Sequence, residues 1–127
     1  MANAVRISSW RPFFFTAGVF NAAVGVTLLA APAAFYAMTA LGEPEQFLEA
    51  RIIGWMILLF GATYVLIGRA PDTPSSLIVL MGAGKLGVVA LIVVYWLDGA
   101  INDLGALLGA VDLAWALGFL FMLLVRK

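Results

Sequence analysis

The sequence predicts an all-α membrane protein, a four-transmembrane-helix up-down bundle that forms a single integral membrane domain over residues 1–127. Hydrophobic residues make up 65% of the chain and charged residues 11%, where soluble domains average roughly 45–50% and about 25%. A chain of 127 residues cannot bury that much apolar surface in its own core, so lipid must solvate the remainder. The apolar residues also fall into four runs, each longer than the ~18–20 residues that cross a bilayer as a helix.

The four apolar runs predict the helices in order along the chain. The first spans residues 12–38, and the others span 47–68, 75–97 and 104–125. Pro32 falls in the last third of the first run, where it is expected to kink or end the helix. Helices are expected throughout, because backbone groups in lipid must hydrogen-bond within their own segment. The first run exceeds the ~7–15-residue core of a signal peptide, so we interpret it as a retained helix.

The two halves of the chain resemble each other weakly, as a parallel repeat of a helix pair would. Gly18 and Asn21 in the first helix have the same spacing as Gly82 and Lys85 in the third helix. The first and third helices run in the same direction, which is what a parallel repeat requires. In this interpretation the first two helices form one unit and the last two form the other.

The charged residues are sorted by sign between the two ends of the predicted bundle. With four spans both termini lie on one side, whose basic residues are Arg6, Arg11, Arg69, Arg126 and Lys127. The acidic residues on the opposite side are Glu43, Glu45, Glu49, Asp98 and Asp103. The positive-inside rule places loops rich in Lys and Arg in the cytoplasm. The sequence therefore predicts a multi-pass protein of the bacterial inner membrane with both termini cytoplasmic.

Glycines recur at spacings that are typical of helix packing in membranes. In the second helix Gly54, Gly61 and Gly68 repeat every seven residues. In the fourth helix Gly105 and Gly109 form a pair of small residues four positions apart. Small residues let two helix backbones approach closely where no hydrophobic effect drives association. We expect these faces to pack against neighbouring helices.

Three helices each place one strongly polar residue near the middle of the membrane. At ~1.5 Å per residue, Asn21, Lys85 and Asp112 lie roughly 13, 15 and 18 Å from the cytoplasmic side. A lone charge at this depth is costly, so Lys85 and Asp112 are expected to pair, with Asn21 as a third hydrogen-bonding partner. Two interpretations stay open. The cluster is either an ion pair that fixes which helices touch, or a ligand-binding or coupling site for a proton, an ion or a headgroup.

Two further pairs of residues are candidates for a site. Glu49 and Arg51 form a polar cluster at the outer face, and it is either a favourable helix start with a base reaching lipid phosphate or the entrance to a binding cleft. Trp55 and Trp115 lie deeper than the usual aromatic belt. They either line a cavity for an apolar ligand or fill the bundle, and we favour filling.

Several classes of function are excluded by composition. The chain has no Cys and no His, which removes disulfides, thiolate chemistry and most zinc, copper and haem sites. No metal, cofactor or catalytic residue is therefore predicted, and an enzyme is not favoured. Seven basic and seven acidic residues balance, which leaves no net charge to attract a nucleic acid.

The layout of the chain resembles a known set of proteins. An Arg near the start of the second helix, glycine-rich helices and two stacked helix pairs make it similar to the broad DoxX-like set of small four-helix bacterial membrane proteins. The resemblance covers most of the length and rests on layout, without a specific motif. It implies the fold, and an accessory role in a membrane complex is one of the functions found in that set.

Three hypotheses for function follow. The first is a binding, scaffold or accessory-subunit role, with a lipid-like ligand or the helices of a partner; membrane lipid and a homo-oligomer or larger membrane complex are the expected partners. The alternative is a small ion- or proton-coupled transporter that acts as an oligomer through the Lys85–Asp112 pair. The third is a lipid-modifying enzyme with Asp112, Glu49 or Lys85 in acid–base roles, ranked last because no nucleophile or metal site is visible.

Overall fold

Each apolar run folds as an α-helix, which satisfies its backbone hydrogen bonds internally. The structure is a computed structural model that describes residues 4–125. Its helices are α1 (Arg11–Ala30), α2 (Pro32–Thr39), α3 (Leu48–Arg69), α4 (Ser75–Leu97) and α5 (Asp103–Val125), and a 3₁₀ turn at Ser8–Trp10 precedes α1. All of these α-helices except the short α2 are long and apolar enough to cross a membrane. The predicted all-α fold with four spanning helices is confirmed.

One non-helical residue, Ala31, separates α1 from α2 where the sequence predicts a break. Ala31 has φ −140° and ψ 57°, and Pro32 opens α2. A proline ring disfavours the helical conformation in the preceding residue and lacks the N–H that a continuing helix needs. α2 ends before Ala40, which has a positive φ of 59°. The first spanning helix is therefore shorter than the predicted 12–38, and α2 is a separate segment.

The α3–α4 connection lies at the same end of the bundle as the start of α1 and the end of α5, and we call this the terminal end. There β1 (Ala4–Arg6) pairs antiparallel with β2 (Asp72–Pro74), so that Val5 lies opposite Thr73. Three residues are too few for a periodicity, so the sequence does not predict this ribbon. Val5 and Ile7 are buried in the core, which fixes the N-terminal segment to the bundle.

The opposite end, which we call the loop end, contains α2, residues 40–47 and the α4–α5 turn. Asn102 joins these parts, because its side-chain amide donates to the carbonyl oxygen of Met38 at 2.8 Å and its backbone N–H donates to that of Thr39 at 3.0 Å. The side-chain oxygen of Asn102 accepts a hydrogen bond from the N–H of Gly105 at 3.1 Å, as an N-cap does. One residue thus caps α5 and holds α2 against it.

Charges are distributed between the two ends as the sequence predicts, within the part of the chain that is described. Arg6, Arg11 and Arg69 lie at the terminal end, together with Asp72. The residues of opposite sign at the loop end are Glu43, Glu45, Glu49, Asp98 and Asp103. Arg126 and Lys127, which add to the predicted asymmetry, lie outside the described residues.

α1 and α3 pack antiparallel along a seam of glycines. A Cβ atom built on Gly61 would lie 2.9 Å from the carbonyl oxygen of Gly18. One built on Gly25 would lie 2.7 Å from the carbonyl oxygen of Gly54. Only glycine lets the two backbones come this close, because any side chain would meet backbone atoms that cannot move aside cheaply. Gly68 continues the seam against the rings of α1, so the predicted heptad face packs as expected.

α4 and α5 form a second antiparallel pair that is packed less closely. A Cβ atom on Gly109 would lie 2.8 Å from Cγ2 of Ile92, a side-chain atom of α4. Gly105 faces Ile101 in the preceding turn instead of a neighbouring helix. The two small residues of α5 therefore accommodate isoleucine side chains, and the α4–α5 contact lacks the direct backbone approach of the α1–α3 seam.

The two helix pairs meet through an aromatic layer near the terminal end, formed by Phe13, Phe14, Tyr64 and Phe119. The ring of Phe119 in α5 lies edge-on to Phe13 of α1, with centroids 5.2 Å apart. It stacks with Tyr64 of α3 at 5.8 Å. Phe14 and Phe119 are fully buried, and the layer fills this half of the bundle. Edge-on and offset contacts of this kind add to the apolar burial that joins the pairs.

We expect Gly61→Ala to destabilise the protein by roughly 1–3 kcal/mol, the usual cost of overpacking, because the new methyl group would press on the carbonyl oxygen of Gly18. Gly87→Ala is the matched control, since a Cβ atom there meets nothing within 4 Å. It should leave stability unchanged or raise it by up to about 1 kcal/mol through helix propensity. Thermal unfolding in detergent measures both, and equal melting temperatures for the two variants would contradict the seam.

Candidate functional site: a buried ion pair beside an apolar cavity

Lys85, Asp112 and Asn21 come together between the two helix pairs. Nζ of Lys85 lies 2.6 Å from Oδ1 of Asp112 and donates a second hydrogen bond to Oδ1 of Asn21 at 3.1 Å. The amide of Asn21 donates in turn to the carbonyl oxygen of Ile57 at 3.4 Å, a long and weak hydrogen bond. The cluster therefore links α1, α3, α4 and α5. The contact that the sequence predicts is present, and its role stays a prediction.

Aromatic rings surround the ammonium group of Lys85. The ring centroids of Tyr64 and Trp115 each lie 5.4 Å from Nζ, and that of Phe20 lies 5.9 Å away. Phe20 and Trp115 are themselves in contact, with centroids 4.9 Å apart. A cation this close to aromatic faces is stabilised by their quadrupoles, and the stabilisation grows when water is excluded.

Burial makes the pairing of these charges obligatory. Only 6% of the Lys85 side chain and 15% of the Asp112 side chain is exposed. Moving one unpaired charge out of water costs several kcal/mol, whereas a close pair with additional hydrogen bonds offsets most of that cost. Within residues 4–125 this is the only ion pair, and it makes the site electrically neutral as a whole. The two opposite charges cancel at a distance, so the pair affects a neighbouring group only through short contacts with its individual atoms.

An apolar cavity of about 860 Å³ lies on the loop-end side of the cluster. Its wall is formed by the four long helices and by α2. The cluster of Asn21, Lys85 and Asp112 lies at its terminal-end side, which we call the floor, and on α4 the lining continues past Lys85 to Leu80. From Lys85 to Tyr95 at its far end, α4 rises ~15 Å at ~1.5 Å per residue. The volume falls within the ~300–1,000 Å³ that is typical of small-molecule sites, and the combination of apolar wall and few polar groups is typical too.

The cavity opens sideways between α3 and α4. Its lining residues on α1 and α5 are buried or half-buried, whereas much of the lining on α3 and α4 is exposed. The exposed rim residues, about half or more accessible, are Ile53, Met56 and Phe60 on α3 and Leu80, Leu91 and Tyr95 on α4. All of the rim side chains lie on membrane-spanning helices, so the opening faces lipid.

The two ends of the cavity are closed by different structures. At the loop end α2 contributes Phe35, Tyr36 and Thr39 to the wall, and the hydrogen bonds of Asn102 hold it in place. At the terminal end the aromatic layer packs directly beneath the ion pair, where Tyr64 belongs to both. The opening between α3 and α4 is therefore the broad route into the cavity.

The other candidate residues lie elsewhere. Glu49 and Arg51 are exposed at the start of α3, and neither lines the cavity. Trp55 is 53% exposed and does not line the cavity. Trp115 is half-buried against Lys85 and Phe20, where it fills the bundle beside the site.

Tyr64 is a site residue that the sequence analysis misses, although a signal for it exists. In each of the four spanning helices a glycine precedes the polar residue of the site by three positions. The four pairs are Gly18 and Asn21, Gly61 and Tyr64, Gly82 and Lys85, and Gly109 and Asp112. Residues three apart share one helix face, so the small residue brings a neighbouring element close to the polar group. The spacing that the four helices share therefore predicts that all four side chains belong to one site.

The contact between Asn21 and Lys85 bears on the internal repeat. These two residues occupy matching positions in the two halves of the chain and are hydrogen-bonded to each other. The helices also pair as α1 with α3 and α4 with α5, which are the two units of the predicted repeat. Matching residues meet when the units are related by a two-fold axis that passes between them. The contact between Asn21 and Lys85 is what such an arrangement predicts.

Comparison with protein-family models, curated proteins and solved structures finds no match to this chain. The resemblance to DoxX-like proteins therefore stays a prediction. In the described part of the chain, no three acidic side chains come together in a way that could hold a metal ion. The geometry that remains is an apolar cavity open to lipid, with one neutral ion pair at its floor.

We expect Lys85→Met or Asp112→Leu alone to destabilise the protein more than the two substitutions together. Each single change leaves a buried charge without its partner, which costs about 3–5 kcal/mol in soluble proteins, whereas the double change leaves an apolar contact of similar volume. Thermal unfolding of all four proteins in detergent gives the double-mutant cycle. If the two losses simply add, the pair does not stabilise the bundle.

Proposed function

We propose that this small membrane protein is a binding protein for a lipid-like molecule, which it holds in the cavity between its two helix pairs. The observation that supports this best is the cavity itself, with about 860 Å³ of apolar space that opens to lipid between α3 and α4. A spanning bundle without a ligand gains nothing from such a space, because close packing is what holds membrane helices together. An apolar chain that enters from the bilayer fills it without exposure to water.

The distribution of charge supports an orientation for this protein in the membrane. The basic side chains at the terminal end favour the cytoplasmic side, and the acidic loop end favours the other side. We infer a multi-pass protein of a bacterial inner membrane with both termini in the cytoplasm. In this orientation the cavity lies in the outer half of the bilayer, and its ligand comes from the outer leaflet.

The transporter hypothesis has less support from the geometry. An ion- or proton-coupling site is reached from water, whereas the broad opening of this cavity lies between the spanning helices α3 and α4. Here the cavity reaches the ion pair from the loop end, while the buried rings of Phe14 and Phe119 pack on the terminal-end side. The enzyme hypothesis requires a nucleophile or an activated water, and the floor of the cavity provides an ion pair whose charges already satisfy each other.

We expect the protein purified in a mild detergent to retain a bound lipid-like molecule, visible as an added mass by native mass spectrometry. Gly84→Phe should remove most of that mass, because Gly84 lines the cavity and a side chain there meets no atom within 4 Å. Gly87→Phe is the matched control. It lies one helical turn further on the same helix, has equal space and does not line the cavity.

Two results of this experiment would contradict the proposal. One is a wild-type protein that carries no added mass in any mild detergent. The other is equal retention by the Gly84→Phe and Gly87→Phe variants, because the ligand would then lie outside the cavity. The same spectra report the oligomeric state, for which the sequence predicts a homo-oligomer or a larger complex.

A further inference from the structure

We infer that the ligand of this cavity is a single-chain amphiphile whose head is uncharged and both donates and accepts a hydrogen bond, as a hydroxyl group does. This inference rests on the proposed binding function and specifies the ligand class. It follows from three features of the site: the hydrogen-bonding capacity left at the ion pair, the neutrality of that pair and the shape of the cavity.

The ion pair leaves one donor and one acceptor next to each other. The ammonium group of Lys85 has three N–H donors, of which Asp112 and Asn21 use two. Asp112 accepts through Oδ1, and among residues 4–125 no protein group donates to its second oxygen, Oδ2. Both side chains line the cavity. No fully enclosed side-chain oxygen or nitrogen among residues 4–125 lacks a partner, so Oδ2 is open to the cavity. A polar group that faces an apolar space without a partner is costly, so a ligand head that supplies both partners is favoured.

The neutrality of the pair selects against charged heads. An anionic head would be attracted by the ammonium group of Lys85 but repelled by the adjacent carboxylate of Asp112. A cationic head would be attracted by Asp112 and repelled by Lys85. No charged side chain other than Lys85 and Asp112 lines the cavity, so neither kind of head finds a further counter-ion there. A desolvated charge without a partner is strongly disfavoured. A neutral hydroxyl can instead donate to Oδ2 of Asp112 and accept from Lys85.

The shape of the cavity limits the rest of the molecule. The space extends ~15 Å along α4 from the ion pair towards the loop end, at ~1.5 Å per residue. Its side opening is bordered by apolar residues such as Ile53 and Leu91, which an apolar chain can pass without losing contact with lipid. A linear tail with its head at the floor therefore fits the cavity from end to end.

A set of four probes with the same tail tests this inference. The probes are 1-tetradecanol, tetradecyl sulfate, tetradecyltrimethylammonium and tetradecane, each titrated into delipidated protein held in an amphipol, against a brominated tetradecanol. Bromine quenches nearby tryptophan fluorescence, and Trp115 lies beside the site. A variant with Trp10, Trp55 and Trp96 changed to Phe leaves Trp115 as the single reporter. If this variant fails to fold, native mass spectrometry of the wild-type protein follows the same competition.

We expect 1-tetradecanol to displace the brominated probe at a concentration at least tenfold lower than the other three. In the Lys85→Met, Asp112→Leu double variant the advantage of tetradecanol over tetradecane should disappear, because both hydrogen-bonding partners are gone. Gly87→Phe is the control that should keep the wild-type order.

The outcomes separate this inference from the proposed function. If none of the probes binds and Trp115 is never quenched, the cavity does not hold an amphiphile and both proposals fail. If all four probes bind equally, the cavity binds apolar chains and the ion pair does not discriminate between head groups. Only the inference then fails. Preferred binding of tetradecyl sulfate would show that Lys85 attracts anions in spite of Asp112, which also overturns it.

Discussion

The Lys85–Asp112 ion pair is the constraint on which the arrangement of this bundle depends. Neither charge is tolerated alone at this depth, so α4 and α5 must pack with these two residues at one level. Asn21 then fixes α1 against that pair, and the ring of Tyr64 places α3 on its other side. One short contact of 2.6 Å thereby sets the relative height of helices that otherwise meet through non-directional apolar surfaces.

The two helix pairs differ in how closely their helices pack. The glycine seam gives α1 and α3 a close backbone contact that leaves no space between them. α4 is different, because Gly84 and Gly87 face no neighbouring atom and only Gly82 packs on another helix, with Cβ of Phe119 at ordinary contact distance. The space that this looser packing leaves between α3 and α4 is the cavity. The first pair thus provides the closest backbone packing, and the looser packing of the second leaves the room for a ligand.

The sequence predicts much of this structure, for reasons that differ between features. The spans and the break at Pro32 follow from local composition, and the contact between Lys85 and Asp112 follows from the cost of an unpaired charge in lipid. The cavity cannot be predicted from the sequence in this way. Its size depends on the distances between helices, and apolar runs of similar hydropathy do not specify those distances. Trp55 illustrates the limit: its depth is readable from the sequence, but the direction in which it faces is not.

The ribbon between β1 and β2 has a consequence for how the chain assembles. β2 directly precedes α4, so its strand partner and both helices of the first pair are already synthesised when it emerges. The ribbon can close while the second pair is still on the ribosome, and it ties the start of α1 to the end of α3 into a finished unit. α4 and α5 then insert beside a unit in which Asn21 is already in position to accept a hydrogen bond from Lys85.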